Sequence, residues 1–347
     1  MLRDLRGFLI VCVAVSGCAG STPSAPDPVS AASAFTFRGE TVSALDGKPI
    51  GRVSITIGAQ TAVSDENGRF DVRNLSEGGD TLVMAGSSIV ERRKAITIPA
   101  DVSRETLIPT SFDLVAFDEM FRGTGRLQRW TAAPALVVLA KVMQFENFAA
   151  GERYHATSEQ LTDAETAQMI EQLTDGLSLL TGGTFNAFAS IEIENPGSGS
   201  SVETLRPGAI VVGRYRGVQS LANTIGFGRW ANSGTAEVTG GAIYLDRNYD
   251  RSSVDRRLVR IHELGHALGY LHVTTRTSIM NPAIGPEPTE FDRAAAAIAF
   301  QRMPGNLSPD NDDPGPSRPS SGGLFGARGL TGTIWSAPLI CGPTAVR

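Results

Sequence analysis

Three histidines, a glutamate and a glycine stand close together in the string His262-Glu263-Leu264-Gly265-His266-Ala267-Leu268-Gly269-Tyr270-Leu271-His272, an H-E-x-x-H-x-x-G-x-x-H pattern. On a helix, positions i and i+4 share a face, so the imidazoles of His262 and His266 can meet one divalent ion. Glu263 is rotated by about 100° from His262, yet its side chain is long enough to reach a water on that ion. Gly269 sits where the helix must stop so that the chain can swing round and bring in His272 as third ligand. Glycine reaches the positive φ of such a turn at little cost. Three neutral imidazoles leave a zinc ion dipositive with one position open, the composition of a catalytic rather than a structural site. The chain has only 4 histidines, so three in one string is far from a chance arrangement. The chemistry such a set can do is metal-assisted hydrolysis, with Glu263 taking a proton from water and returning it to the leaving group.

Downstream, Ser278-Ile279-Met280-Asn281-Pro282 places a methionine in a turn after His272. The motif and this turn together resemble the metzincin clan of zinc endopeptidases, and the His272-to-Met280 spacing resembles its matrixin branch. The resemblance implies an α+β zincin domain with an active-site helix and a Met-turn, Met280 forming an apolar floor under the metal. It implies one catalytic Zn2+ on His262, His266 and His272, Glu263 as the catalytic residue, and a protein or peptide substrate. Three departures qualify it. Val273 follows the third histidine, where matrixins typically carry Ser. No Tyr follows Met280 within the turn, so the extra tyrosine ligand of astacin-like relatives is not expected. Only His155 remains once three of the 4 histidines are assigned, so the second, structural zinc of matrixins is not expected either. Asp292 is open to two readings: support for the Met-turn backbone, or an exposed carboxylate at a helix start after Thr289. In this clan the strand before the active-site helix lines the cleft, which makes residues 239–245 the expected edge strand for an extended peptide.

The elements that must position these residues lie between 121 and 303. The continuous apolar run Ala135 to Ala140 has strand length. Thr162-Asp163-Ala164-Glu165 is a capping-box pattern opening a helix whose Met169, Ile170, Leu173, Leu177 and Leu180 form one stripe, ended by Gly182-Gly183. Strands follow at about 189–193, 209–212 and 242–245. A second helix starts near Ser253 and carries the motif, and a third follows Pro288-Thr289. The string Asp246-Arg247-Asn248-Tyr249-Asp250 can be read as the start of a Ca2+ loop. Arg251 stands where an EF-hand needs Gly and Arg257 where it needs Glu, so a strand-to-helix turn is the preferred reading.

Residues 35–115 show short alternating apolar runs broken by turn residues. Val53 to Ile57 and Phe70 to Val72 flank the cluster Asp65-Glu66-Asn67-Gly68 and read as a hairpin. Thr81 to Met84 and Ala95 to Ile98 add strands, and a small antiparallel β-sandwich is expected. Asp46-Gly47-Lys48-Pro49-Ile50 followed by Ser64 to Phe70 resembles the carboxypeptidase regulatory-like domain family, which implies a sandwich module without catalysis of its own. A metallocarboxypeptidase itself is excluded, because that family uses an H-x-x-E pair and His155 has no Glu three residues later. The expected organisation is therefore multidomain: an all-β sandwich over 35–115, a metzincin-like α+β domain over 121–303, and a tail over 304–347 whose first twenty or so residues are too poor in apolar side chains to form a core.

At the N-terminus Arg3 and Arg6 precede the apolar run Phe8 to Val15, a signal-peptide pattern too short to span a bilayer. Val15-Ser16-Gly17-Cys18 then resembles the lipobox of bacterial lipoproteins, which implies cleavage after residue 17, acylation of Cys18, and a tether over 18–34. A plain secretory signal with a chance cysteine is the alternative. Ala19 after the cysteine resembles lipoproteins sorted to an outer membrane, where the source has one. The location expected is extracytoplasmic and lipid-anchored.

Composition sets the outer bounds. Lys+Arg 31 against Asp+Glu 36 gives a net charge of −5, which argues against a nucleic-acid partner. Cysteine numbers 3, at 12, 18 and 341, so no disulfide scaffold is available. Cys341 would be the one thiol left after lipidation. A thiolate can ligate zinc and hold such an enzyme latent, but its string bears little likeness to the matrixin propeptide switch and lies at the opposite end of the chain. The rival to an endopeptidase is a surface-anchored binding or adhesion lipoprotein with a silent protease-like domain, against which retention of Glu263 speaks. Oligomeric state is not legible in the sequence.

Overall fold

Alternating burial along short strands builds the N-terminal part of the computed structural model, which describes residues 34–145, 154–218, 224–284, 286–312 and 334–341. The expected leader, Cys18 and nearly all of the tether lie outside the described residues. Seven strands come first: β1 (Phe35–Ser43), β2 (Ser54–Ile57), β3 (Gln60–Val63), β4 (Arg69–Leu75), β5 (Gly78–Ala85), β6 (Arg92–Ile98) and β7 (Ser103–Leu107). They form a three-stranded sheet in the order β4-β1-β7 and a four-stranded sheet in the order β3-β2-β5-β6. Ile55, Ile57, Val72, Leu82, Met84 and Leu107 are buried together between them. Two expectations need correction. β1 and β7 run parallel, so the region is not purely antiparallel. Asp65 to Gly68 does not close a hairpin between the flanking runs, because β2 pairs with β3 while β4 pairs with β1. The turn carries the chain from one sheet to the other. It is held by the Asp65 carboxylate, which accepts from the backbone N–H of Asn67 and Arg69 at 2.9 and 2.8 Å.

A helix, α1 (Leu114–Arg122), leads into an α+β domain. Its elements are β8 (Ala135–Leu139), β9 (Lys141–Phe145), β10 (Tyr154–Gln160), α2 (Asp163–Leu180), β11 (Ile191–Glu194), β12 (Ala209–Arg216), β13 (Gly226–Asn232), β14 (Val238–Asp246), α3 (Arg247–Ser252), α4 (Arg256–Ala267), α5 (Glu290–Phe300), β15 (Ile334–Trp335) and β16 (Leu339–Cys341). All nine strands belong to one mixed sheet, with the main path β10-β9-β12-β14-β13-β15 and β8 joining β11 to β12. β8, β11, β12 and β14 run parallel to one another, and β13 is antiparallel to β14. Period-two alternation divides the buried residues between two faces. Ile210, Val212, Ile243 and Leu245 meet Leu173, Leu177, Ile261 and Leu264 from the helices. Val211, Tyr215 and Tyr244 turn to the opposite face and pack with Leu139, Tyr154 and Phe227.

Helix starts follow the capping chemistry. Thr162 and Glu165 form a reciprocal capping box at α2, and Thr289 and Asp292 form another at α5. The Asp246 to Asp250 string is a strand-to-helix turn: Asp246 caps α3, and the Asp250 carboxylate accepts from the guanidinium groups of Arg214 and Arg260.

Residues beyond 303 also depart from expectation. Pro304 to Asp312 is poor in apolar side chains, yet Asn306 and Asp310 are fully buried. Asp310 accepts from Arg302 Nε at 2.7 Å and from Arg92 Nη1 at 2.9 Å, while Arg92 Nη2 reaches Asp312 at 2.7 Å. Arg302 also donates to Thr106 Oγ1 at 2.9 Å. The stretch is a polar core that ties β6 and β7 to the end of α5. Its burial is carried by charge pairs, to which an apolar reading of composition is blind.

Candidate metal centre

The motif falls on the last turns of α4 and the chain just beyond. Leu268 is the C-cap, and the reversal after it is a Schellman motif: Tyr270 N–H donates to Gly265 O at 2.9 Å and Gly269 N–H to His266 O at 3.0 Å. Gly269 has φ +107°, and a Cβ there would lie 2.9 Å from the backbone oxygen of Gln128. Only glycine meets both conditions. The reversed chain is tied down at once, as Leu271 N–H donates to Met120 O at 2.8 Å. His272 is thereby returned to the two histidines of α4.

The three rings converge through their Nε2 atoms. His266 Nε2 lies 3.0 Å from His262 Nε2 and 3.2 Å from His272 Nε2. On the far side of the rings, His262 Nδ1 contacts Ile279 O at 2.6 Å and His266 Nδ1 contacts Tyr270 O at 2.8 Å. A carbonyl oxygen only accepts, so both Nδ1 atoms carry the proton and, in neutral rings, both Nε2 atoms present bare lone pairs to one another. Such lone pairs 3.0 Å apart repel unless a cation lies between them. Tetrahedral zinc with Zn–N bonds of about 2.0–2.1 Å separates its nitrogen ligands by about 3.3 Å, so the residues fit that ion. The carbonyl partners fix tautomer and ring orientation, as metal-ligating histidines require.

The turn that carries Met280 forms the other wall. Asp292 stands at the start of α5 but is buried, which corrects the exposed reading; its carboxylate both caps the helix and holds the turn. Its carboxylate accepts from Ser278 Oγ at 2.5 Å and Ile279 N–H at 3.1 Å, as well as Thr289 N–H at 2.7 Å. The line Asp292–Ile279–His262 thus runs from a helix start to a candidate ligand. Met280 is fully buried below α4, and a Cβ on Gly265 would come within 2.5 Å of its sulfur. The small residue inside the motif makes room for the methionine.

Glu263 projects beside the triad with both carboxylate oxygens buried and, among the described residues, no hydrogen-bonding neighbour other than the Cys341 thiol. Burial raises its pKa well above the ordinary carboxylate range, opposed in part by the neighbouring Cys341 thiol. The same burial keeps the imidazoles neutral. His262 is brought down to about 3, His272 to about 4, and His266 well below its usual value, with the neighbouring rings adding to the effect at His266.

These shifts carry a pH prediction for the metal-free chain. The folded pKa values lie below the unfolded value, so the unfolded state takes up protons that the folded state refuses. Stability is complete above about pH 6.5 and falls on acidification toward the folded values, by up to about 1.4 kcal/mol per pH unit for each fully buried ring. Urea unfolding of chelator-treated protein should therefore show a clearly lower midpoint at pH 5 than at pH 7.5. Equal midpoints would mean that the rings are solvated.

The cleft strand differs from expectation. β14, which contains 239–245, is interior to the sheet, between β12 and β13. The strand against α4 is β13, where a Cβ on Gly228 would sit 2.4 Å from Glu263 O and 2.6 Å from His266 Cβ. Its sequence Gly-Phe-Gly-Arg-Trp-Ala-Asn has no apolar alternation, so no periodicity announces it. One further residue joins the cluster. Cys341 Sγ lies 3.0, 3.7 and 3.5 Å from the Nε2 atoms of His262, His266 and His272. His155, the remaining histidine, is on β10 and outside the group.

Residues 142–296 match the Matrixin peptidase family, from β9 to within α5. The match supports a matrixin-like metalloendopeptidase domain, a class that carries catalytic zinc and acts on peptide substrates. It leaves the N-terminal β-rich region and Cys341 outside. No curated protein matches the chain. Among solved structures, two type II cohesin–X-dockerin complexes from Acetivibrio cellulolyticus, a C-terminal and an N-terminal interface mutant, share 20% and 19% identity with it. They align over 21% and 22% of this chain and 55% and 58% of theirs, with TM-scores of 0.18 and 0.20. Likeness at that level carries no argument.

Proposed function

We propose that this protein is a zinc-dependent endopeptidase, held outside the cytoplasm by acyl chains on Cys18. The observation that carries the catalytic reading is the set of three converging imidazoles, two of them locked in tautomer by backbone carbonyls, with a buried carboxylate beside them that no cation neutralises. His262, His266 and His272 would hold the ion, and a zinc there supplies a Lewis acid that acidifies water and polarises a carbonyl. Glu263 accepts the proton from the attacking water and passes it to the leaving amine. The edge of β13 away from β14, covered by β15 and β16 in this structure, is where an extended peptide would pair through its main chain, which would give broad sequence tolerance. The N-terminal region serves as a non-catalytic module of the carboxypeptidase regulatory-like kind, a reading supported by the turn string from Ser64 to Phe70. The anchor reading rests on the string that ends at Cys18. A silent adhesion lipoprotein gives no reason for a buried, unpaired glutamate beside three ligands.

The test is hydrolysis of a mixed quenched-peptide library by the chain as isolated, after chelation, and after zinc is restored. Loss on chelation with recovery on zinc is expected, whereas turnover indifferent to chelator would overturn the zinc mechanism. Membrane fractionation of cells carrying the unaltered chain or Cys18→Ala tests the anchor, which fails if both partition alike.

A further inference from the structure

We propose that the C-terminal strand is a built-in inhibitor of the site, with β16 lying where an extended substrate would pair along β13 and Cys341 filling the metal's fourth position. This inference rests on the zinc endopeptidase reading above and adds to it a ligand and a means of control.

The pairing is extensive and in register. Gly226, Phe227 and Gly228 of β13 stand opposite Cys341, Ile340 and Leu339, and Ala231 and Asn232 stand opposite Trp335 and Ile334, both ladders antiparallel. Ile225 N–H donates to Cys341 O at 3.0 Å, and Ser336 N–H donates to Trp230 O at 2.9 Å. The Ser336 hydroxyl accepts from Trp230 N–H at 3.1 Å, and the Arg229 guanidinium lies 4.7 Å over the Trp335 ring. One stretch of chain therefore covers β13 from the end nearest Glu263 to its far end, leaving no free edge there for a second peptide. The strand that a substrate needs is already paired.

The register delivers the thiol. Cys341 stands opposite Gly226, whose missing side chain leaves room for Glu263: a Cβ there would come within 2.9 Å of Glu263 Oε1. Cys341 is fully buried, and its sulfur sits 3.0 to 3.7 Å from all three Nε2 atoms. With Zn–S of about 2.3 Å and Zn–N of about 2.0–2.1 Å, a tetrahedral site of one cysteine and three histidines separates sulfur from nitrogen by about 3.5 Å. The four ligand atoms lie within 4.8 Å of one another, so one ion can bind all of them. Three histidines alone leave the open position that catalysis needs. The thiolate, having lost its proton to solvent on binding, closes that position, and a closed set of four protein ligands is the composition of an inert site. Cys341 lies outside the 142–296 family match, so the device belongs to this chain's own C-terminus.

The experiment uses the full chain with Cys12→Ser and Cys18→Ser, so that Cys341 is the sole thiol, loaded with cobalt(II) for spectra and with zinc for hydrolysis. The parent should show a near-ultraviolet thiolate-to-cobalt charge-transfer band. Cys341→Ser should lose that band, keep the visible d–d bands of a folded histidine site, and hydrolyse the peptide library at least about tenfold faster, since an intramolecular competitor acts at an effective concentration in the millimolar range. In the parent, Cys341 should react with methyl methanethiosulfonate slowly with zinc and quickly after chelation, a readout that needs no variant. A parent without the charge-transfer band overturns the ligand assignment. A band with equal hydrolysis by parent and Cys341→Ser overturns the inhibition and leaves the endopeptidase reading intact. A band with no hydrolysis by either overturns the endopeptidase reading and the inhibition with it, while the ligand assignment stands.

Discussion

Glu263→Gln, made in a Cys341→Ser background so that the site is open, is expected to lower kcat/KM by about 10²–10⁴-fold while zinc content stays unchanged. The loss should fall on kcat with KM nearly constant, because the carboxylate acts on the proton in flight and not on the bound peptide. Glutamine preserves the size and shape of the side chain but cannot accept a proton at neutral pH. The variant therefore separates basicity from packing. The Cys341 thiol, the hydrogen-bonding neighbour of the Glu263 carboxylate, is already replaced in this background, so the change breaks no further contact among the described residues. A buried carboxyl that no cation neutralises is held at a raised pKa, the direction that brings a general base toward working pH. A variant that keeps a tenth or more of the parent's kcat/KM would show that the proton goes elsewhere.

The features that sequence reading recovers best are those with a fixed chemical period. The i, i+4 histidines, the stop at Gly269 and the capping box at Thr162 each depend on spacing along one helix, and spacing is what a sequence displays. Met280 under the motif and Asp292 behind the turn also follow from short-range order, although the double duty of Asp292 does not. What escapes is long-range or aperiodic. β13 lies against α4 because Gly226 and Gly228 lack side chains, and a strand selected for absence leaves no alternation to detect. With β13 invisible, the neighbouring apolar run of β14 takes its place at the edge of the sheet. Cys341 approaches the histidines through strand pairing across most of the α+β domain, and no local pattern encodes that register. The polar core at Asp310 escapes for a related reason: its members are individually ordinary surface residues, and only their convergence buries them.

That convergence gives the largest expected stability effect. Asp310 and Arg302 are fully buried and Arg92 nearly so, and one carboxylate serves both guanidinium groups. Asp310→Ala would leave two cations in a dry site with only Asp312, Asn306 and Thr106 nearby, and a broken buried pair of this kind costs about 3–5 kcal/mol. Burial alone would raise the Asp310 pKa, but the charges of Arg302 and Arg92 outweigh it and the net shift is downward. The folded pKa thus lies below the unfolded one, near 3.9, so the pair's contribution is present above about pH 4 and is lost as pH falls through the folded value. Asp310→Asn, which keeps hydrogen bonding without charge, should fall between parent and alanine. Arg52→Ala, which removes the exposed Arg52–Glu66 pair, should leave the unfolding midpoint unmoved, since a solvated pair contributes little. Urea unfolding of zinc-loaded protein at pH 7 measures all three. Because Arg92 lies on β6 and Arg302 follows α5, the Asp310→Ala loss should appear in probes of both regions at one midpoint. A loss below about 1 kcal/mol would mean that water enters and solvates the arginines, and that the N-terminal sheets are held to the α+β domain by apolar contact alone.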